Sequence, residues 1–478
     1  MLLLTVTVNS RAMSCSVPRM RLNLKRATVR VYFFRQWTMK RPKKVMALLC
    51  AATLLFFQQI SKRLQMPTRR RAPLALPYLA EMCGPQWTST LRAYATFHSN
   101  GTGELLSSVP GALSSFKVAL YTCVDSAKAE DDCGGIGDRI VGMVSTYLFA
   151  IATKRLFYVD WLAATVIFSP VNFNWVPSNE GVFSSTAVTH MDRRDCGPYW
   201  GKGPCFVSPS FYNDFSIISL RINRGVVHDI FLNAEYKEWR QLLEPLGLTS
   251  ETAFACAFHS LFTPTQQVKH AVKANSAVVT SVATIPFGLH FRFGESGLFE
   301  NGGVRFDPSF DFRKDSMIAR VDKAKVSLRT PHLMTAHKVG CSLFPNYNMV
   351  WLVLSDSSVF RHAVSIFNST TLAKSGGYVT WRRRPCDKVT IVMPDITPSH
   401  ISLLEYSSHN FTLKRSLNDQ LIDNTAEWWL LSQCNVFVLD GFSGFSRAAY
   451  AASFGIGVHP SGRMFRSILE LGHIYSGI

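Results

Sequence analysis

His290 and Arg292 stand two apart in His290-Phe291-Arg292-Phe293-Gly294-Glu295, at the end of an apolar run over 285–293. In an extended strand alternate residues share a face. The imidazole and the guanidinium therefore point together, and Phe291 and Phe293 point to the opposite, buried face. A planar cationic fork beside an imidazole at a strand's carboxyl end suits a diphosphate. The alternative is a half-exposed edge strand.

Three further groups could do chemistry. Gly134-Gly135-Ile136-Gly137-Asp138-Arg139 follows an apolar run over 116–124. Glycines after a strand permit a tight turn and close approach of backbone to a ligand. The pattern is not Gly-x-Gly-x-x-Gly, and it lacks the lysine of a P-loop. It reads equally as an ordinary turn with Asp138 as helix cap. Ser355-Asp356-Ser357 follows the apolar run ending at Leu354. Asp356 there can accept from the N1–H and amino group of guanine, a donor pair adenine lacks, or it can cap a helix. Asp440-Gly441-Phe442-Ser443-Gly444-Phe445-Ser446 lies between a strand and a helix. Small residues at a helix N-terminus offer free amides and a positive dipole end, a second phosphate-binding device, unless Ser443 or Ser446 caps the helix itself.

These groups need a frame. The patterns run strand, glycine-rich turn, helix, strand: 116–124, 134–139, 140–153 and 155–161. The helix is apolar at Ile140, Met143, Val144, Tyr147, Leu148 and Ile151, one buried stripe. A second set of strands follows residue 280, at 285–293, 349–354, 389–393 and 436–439, with helices at about 423–432 and 445–454. Strands alternating with helices imply a parallel sheet covered on both faces. The expected fold is α/β, with two Rossmann-like, doubly wound domains at 116–280 and 281–478 facing a cleft. Ligands then lie at the carboxyl ends of the strands.

The chain has 478 residues and a formal net charge of +19. That charge looks like a nucleic-acid binder until it is located. Residues 1–80 hold 16 Lys or Arg and no acid; the remainder carries 35 bases against 32 acids. A body so nearly neutral has no global field for a polyanion, so no nucleic-acid partner is expected. Trp381-Arg382-Arg383-Arg384 reads as a solvated loop. Residues 1–44 form a basic tail, and 45–61 an apolar segment flanked by Lys43, Lys44, Lys62 and Arg63. The segment is short for a span and reads as an uncleaved signal anchor, which suits thin early-secretory membranes. The positive-inside rule keeps the tail cytosolic and sends the body into the lumen. The expected place is the Golgi or endoplasmic-reticulum membrane, single-pass type II. An organelle transit peptide is the alternative, being also Arg-rich and acid-poor.

Asn-x-Ser/Thr triplets at Asn100, Asn368 and Asn410 all lie past the apolar segment, as a luminal body requires. Cys123 with Cys133, and Cys196 with Cys205, are plausible disulfide loops there. Residues 62–115 mix Pro, Ser, Gly and basic residues and read as a stem or linker. There is no Cys-x-x-Cys, His-Glu-x-x-His or Asp-x-Asp. No zinc site is expected, nor a metal on a nucleotide-sugar diphosphate. Neither a metal nor a cofactor is expected.

Cys133–Trp161, His290–Glu295, Ser355-Asp356-Ser357 and Gly441–Ala452 together resemble the GDP-fucosyltransferase superfamily. Its members include the α1,2-, α1,6- and protein O-fucosyltransferases and the rhizobial chitin-oligosaccharide fucosyltransferase. The resemblance runs over roughly residues 116–460. It implies a GT-B fold with GDP-fucose held by the C-terminal half. By it, Arg292 matches the arginine on the β-phosphate, with His290 beside it, and Asp356 the guanine-binding acid. Ser443, Gly444, Phe445 and Ser446 match the loop around phosphate and base. Gly135, Gly137 and Asp138 line the cleft from the first domain. Several relatives carry Asn at the position of Asp138, and the position of Glu295 varies among them.

The implied enzyme is an inverting, metal-independent transferase that moves fucose from GDP-fucose to a glycan or glycoprotein acceptor. Arg292 and the helix amides stabilise the leaving diphosphate, and Asp138 or Glu295 is the base. Two other readings are a GT-B transferase for another nucleotide sugar and an inactive glycan-binding protein of the same fold.

Overall fold

A computed structural model describes residues 76–107, 116–123, 133–177, 188–193, 204–223, 226–281, 283–291, 332–344, 347–355, 389–394, 416–439, 443–458 and 464–465. The basic tail, the 45–61 segment, Arg292, Glu295, Asp356 and the triplets at Asn368 and Asn410 lie outside these residues. No described helix is long and apolar enough to cross a membrane.

Within the segment read as a stem, Leu76–Ser107 is helical (α1). It breaks at Gly84, whose φ of 82° places it in the left-handed region, directly before Pro85. Glycine tolerates that region, and proline forbids a regular helix through the break. Beyond it, Trp87, Leu91, Tyr94 and His98 form a buried stripe at helical spacing. The Tyr94 hydroxyl donates to the Arg155 carbonyl at 2.7 Å, and His98 Nε2 to the Phe157 carbonyl at 2.8 Å. A disulfide joins Cys83 to Cys256 across 173 residues. This helix is therefore an integral part of the packed body.

Next come β1 (Val118–Thr122), α2 (Ile136–Ala152), β2 (Leu156–Asp160), β3 (Phe168–Pro170), β4 (Val188–Asp192) and β5 (Ile217–Arg221). Strands β2, β1, β5 and β4 make a parallel sheet in that order. Every residue of β1 is buried, as a strand covered on both faces requires. Helix α3 (Ala253–Leu261) and strand β6 (Phe262–Pro264) follow, β6 pairing antiparallel with β3.

The second sheet is built from β7 (Thr284–Phe291), β8 (Asn348–Ser355), β9 (Val389–Val392), β10 (Val436–Val438), β11 (Ile456–Val458) and β12 (Met464–Phe465). Its order is β12-β11-β10-β7-β8-β9, with only the β11–β12 pair antiparallel. Helix α4 covers 332–343, α5 is Leu417–Ser432 and α6 is Gly444–Ala452. The fold is thus α/β with two largely parallel sheets. One cluster of buried side chains runs from the first sheet's helices into α5 and α6. Phe258 packs edge-on against Trp428 there, centroids 5.1 Å apart.

Candidate functional site

The second sheet brings three chain exits together. Strand β7 is central, between β10 and β8, which excludes the edge-strand reading of His290. Phe291 pairs with Ser355 at the carboxyl ends of β7 and β8, and the Ser355 hydroxyl donates to the Phe291 carbonyl at 2.9 Å. On the other side Val438 of β10 pairs with Leu289. The chain leaves these strands toward Arg292, Asp356 and Ser443, respectively. Arg292 and Asp356 are thus next in sequence to paired strand ends.

His290 and Phe291 are both buried, so β7 has no solvent face here. The imidazole lies against the Phe445 ring, centroids 5.0 Å apart and planes 32° apart. This contact ties the end of β7 to the first turn of α6. By helix geometry the leading amides of α6 have no carbonyl within the helix to bond. Ser443 and Ser446 are buried beside them. The Ser446 hydroxyl donates to the Ser443 carbonyl at 3.3 Å. The Ser443 Oγ has no hydrogen-bond partner among the described residues. The capping role of Ser443 weighed from sequence is therefore not used; its side chain makes no cap bond to the helix.

In the first half the glycine turn is held from several directions. Gly134 has φ +82°, a conformation that suits glycine. Asp138 Oδ2 accepts the Gly135 amide at 3.2 Å, which starts α2 four residues before its apolar stripe begins. The buried Arg139 donates from Nε to the Gly134 carbonyl at 3.0 Å and lies over the Trp161 ring at 4.8 Å. The expected disulfide between Cys123 and Cys133 is present directly before the turn. Cys205 is also disulfide-bonded, while Cys196 lies outside the described residues.

The two glycine turns meet. A Cβ on Gly137 would fall 2.7 Å from the Phe445 Cα and would overlap the Gly444 carbonyl oxygen. A Cβ on Gly444 would overlap Asp138 Oδ1. Behind this contact, the buried His259 of α3 hydrogen-bonds through Nε2 to the Ala452 carbonyl at 2.8 Å, at the end of α6. So α6 is fixed to the first half at both ends. Nothing local in the sequence marks Gly137 against Gly444 or His259 against Ala452. Both contacts join residues far apart in the chain.

No family model matches this sequence, and no curated protein matches it. Among solved structures there are partial likenesses. A mutant of Arabidopsis thaliana FUT1 in complex with GDP has a TM-score of 0.48 and 15% identity, covering 80% of each chain. Fucosyltransferase NodZ from Bradyrhizobium has a TM-score of 0.36 and 15% identity, covering 69% of this chain and 94% of that one. NodZ alpha-1,6-fucosyltransferase soaked with GDP-fucose has a TM-score of 0.36 and 14% identity, covering 74% and 99%.

Chemically, the arrangement offers leading amides, a buried hydroxyl and an imidazole at the carboxyl end of a central strand, with a glycine turn pressed against them. Among the described residues no group of three His, Cys, Asp or Glu is placed to hold a metal ion.

Proposed function

We propose that this chain is an inverting glycosyltransferase of the GT-B kind that moves fucose from GDP-fucose to a hydroxyl of a glycan or glycoprotein. One observation carries the reading. The carboxyl ends of β7, β8 and β10 adjoin, and the leading end of α6 sits between them and the first half's glycine turn. Open α/β sheets bind nucleotides at such places.

In the transfer, the bond from fucose C1 to the β-phosphate oxygen breaks, and GDP departs with the electron pair. The acceptor oxygen bonds to C1 from the opposite face and gives up its proton. The main demand is stabilisation of charge growing on the diphosphate. Arg292, His290 and the amides at Gly444, Phe445 and Ser446 meet it, with the Ser443 hydroxyl beside them. Asp356 selects guanine, and Glu295 is the candidate base. The absence of Asp-x-Asp from the sequence supports transfer without a metal. The basic tail and the 45–61 segment support a type II anchor in the Golgi or endoplasmic-reticulum membrane.

The test is incubation of the full-length chain with GDP-fucose, EDTA and a panel of glycans and peptides, with mass analysis of the products. A fucosylated product that is lost in Arg292→Ala and retained in Glu295→Gln supports the reading with a minor base. Normal turnover by Arg292→Ala removes the phosphate assignment. Calorimetry with GDP, UDP and GDP-mannose separates GDP-fucose from another nucleotide sugar. Binding without donor hydrolysis or transfer would mark an inactive glycan-binding protein.

A further inference from the structure

Asp138 sits where the parts of the site join. Its Oδ2 accepts the Gly135 amide at 3.2 Å within its own helix. Its Cβ lies 2.8 Å from the point where a side chain on Gly134 would begin. Its Oδ1 lies against Gly444, the first residue of α6, and all the atoms nearest a Cβ built there belong to Asp138. One residue earlier, Gly137 abuts the Gly444 carbonyl. The carboxyl group is therefore wedged between the leading turns of α2 and α6 and fills the space that the two glycines leave.

A general base must present an oxygen to the acceptor's proton. Here one oxygen takes a backbone amide and the other rests on backbone. We infer that Asp138 is a positioning residue whose shape sets the spacing between the first half's glycine turn and the amides of α6. Through that spacing it sets the affinity for the donor's diphosphate. The inference rests on the nucleotide-sugar reading above and removes Asp138 from the proton-transfer role.

The experiment uses the full-length chain and two variants. Asp138→Asn keeps the planar shape and an oxygen for the Gly135 amide, but has no basicity. Asp138→Ala removes the wedge. The expected result for Asp138→Asn is a KM for GDP-fucose and a kcat within about threefold of the parent. For Asp138→Ala it is a rise of about tenfold in donor KM and in the calorimetric Kd for GDP, with kcat within about threefold. Loss of a general base removes about 10²–10⁴ of rate. A fall of that size in kcat for Asp138→Asn overturns the assignment, as does an unchanged KM and Kd in Asp138→Ala.

Should Asp138→Ala fail to fold by circular dichroism, Asp138→Ser replaces it, since a serine oxygen can still take the Gly135 amide. A double-mutant cycle gives a second readout. Gly444→Ala weakens GDP binding while Asp138 is present and does so less once Asp138 is truncated, because its methyl then has room. Strict additivity overturns the wedge. A parent chain that binds no GDP overturns the nucleotide-sugar reading itself, a result distinct from a parent that binds while its variants are unchanged.

Discussion

Gly137 rests against Gly444, backbone to backbone, so that a methyl at 137 would come within 2.6 Å of the Gly444 carbonyl carbon. The contact joins the first turn of the helix after β1 to the first turn of the helix after β10. It is a fixed point between the two sheets, and the proposed diphosphate site lies beside it.

Gly137→Ala should therefore separate the two turns, since backbone cannot yield as a flexible side chain does. Overpacking of this kind costs about 1–3 kcal/mol. GDP affinity should fall tenfold or more by calorimetry, with a lower Tm. Gly103→Ala is the control. Its Cβ would meet nothing within 4 Å, on a helix. It should hold GDP binding constant and raise stability by about 0.5–1 kcal/mol.

Phe445→Ala removes the ring that packs on His290. Such ring contacts contribute about 0.5–1.5 kcal/mol beyond burial. GDP binding should weaken about fivefold or more as the end of β7 loses its tie to α6. Phe445→Tyr should bind GDP as the parent does. Equal affinity in parent and Phe445→Ala would show that the contact does not shape the site.

The Cys83–Cys256 disulfide closes a long loop and so restricts the unfolded chain strongly. Replacing both cysteines by serine should cost about 3–5 kcal/mol in denaturant unfolding. The residual activity of the folded fraction should match the parent, because neither cysteine is among the residues placed in the proposed site. A drop in kcat without a drop in stability would contradict that placement.

Two buried groups give opposite pH slopes. Burial lowers His98 from 6.5 to about 4. Between these values the unfolded chain binds a proton that the folded chain refuses, so stability falls as pH drops from about 6.5 to 4, by about 2–3 kcal/mol. Burial raises Asp229 from 3.8 to about 6. There the folded chain keeps a proton that the unfolded chain releases, so stability falls as pH rises from about 4 to 6. Its partial exposure reduces the effect to about 1–2 kcal/mol. Denaturant titrations from pH 4 to 8 should show His98→Gln with a flatter acid side. Asp229→Asn should be the more stable at pH 7.

Much of the frame was legible because parallel strands buried on both faces are written as continuous apolar runs. Strands β1, β2, β7, β8, β9 and β10 fall within a few residues of runs visible in the sequence. Strand β4 was hidden because it is a half-exposed edge, and β5 because Ser219 interrupts its apolar run. Helix α1 was hidden by Gly84, Pro85, Gly101 and Gly103, although the 4-3-4 spacing of Trp87, Leu91, Tyr94 and His98 was there to be read. The glycine turn and the 443–446 segment were visible as separate motifs. Their contact was not, because it is made only when both sheets have formed.

The bond from Cys83 to Cys256 has a consequence at the bench. A protease that severs the chain anywhere between Ser107 and Phe116 would not shed the amino-terminal piece, because the covalent bridge and the stripe from Trp87 to His98 retain it. On a denaturing gel the nicked protein would run as one band until a reductant splits it in two.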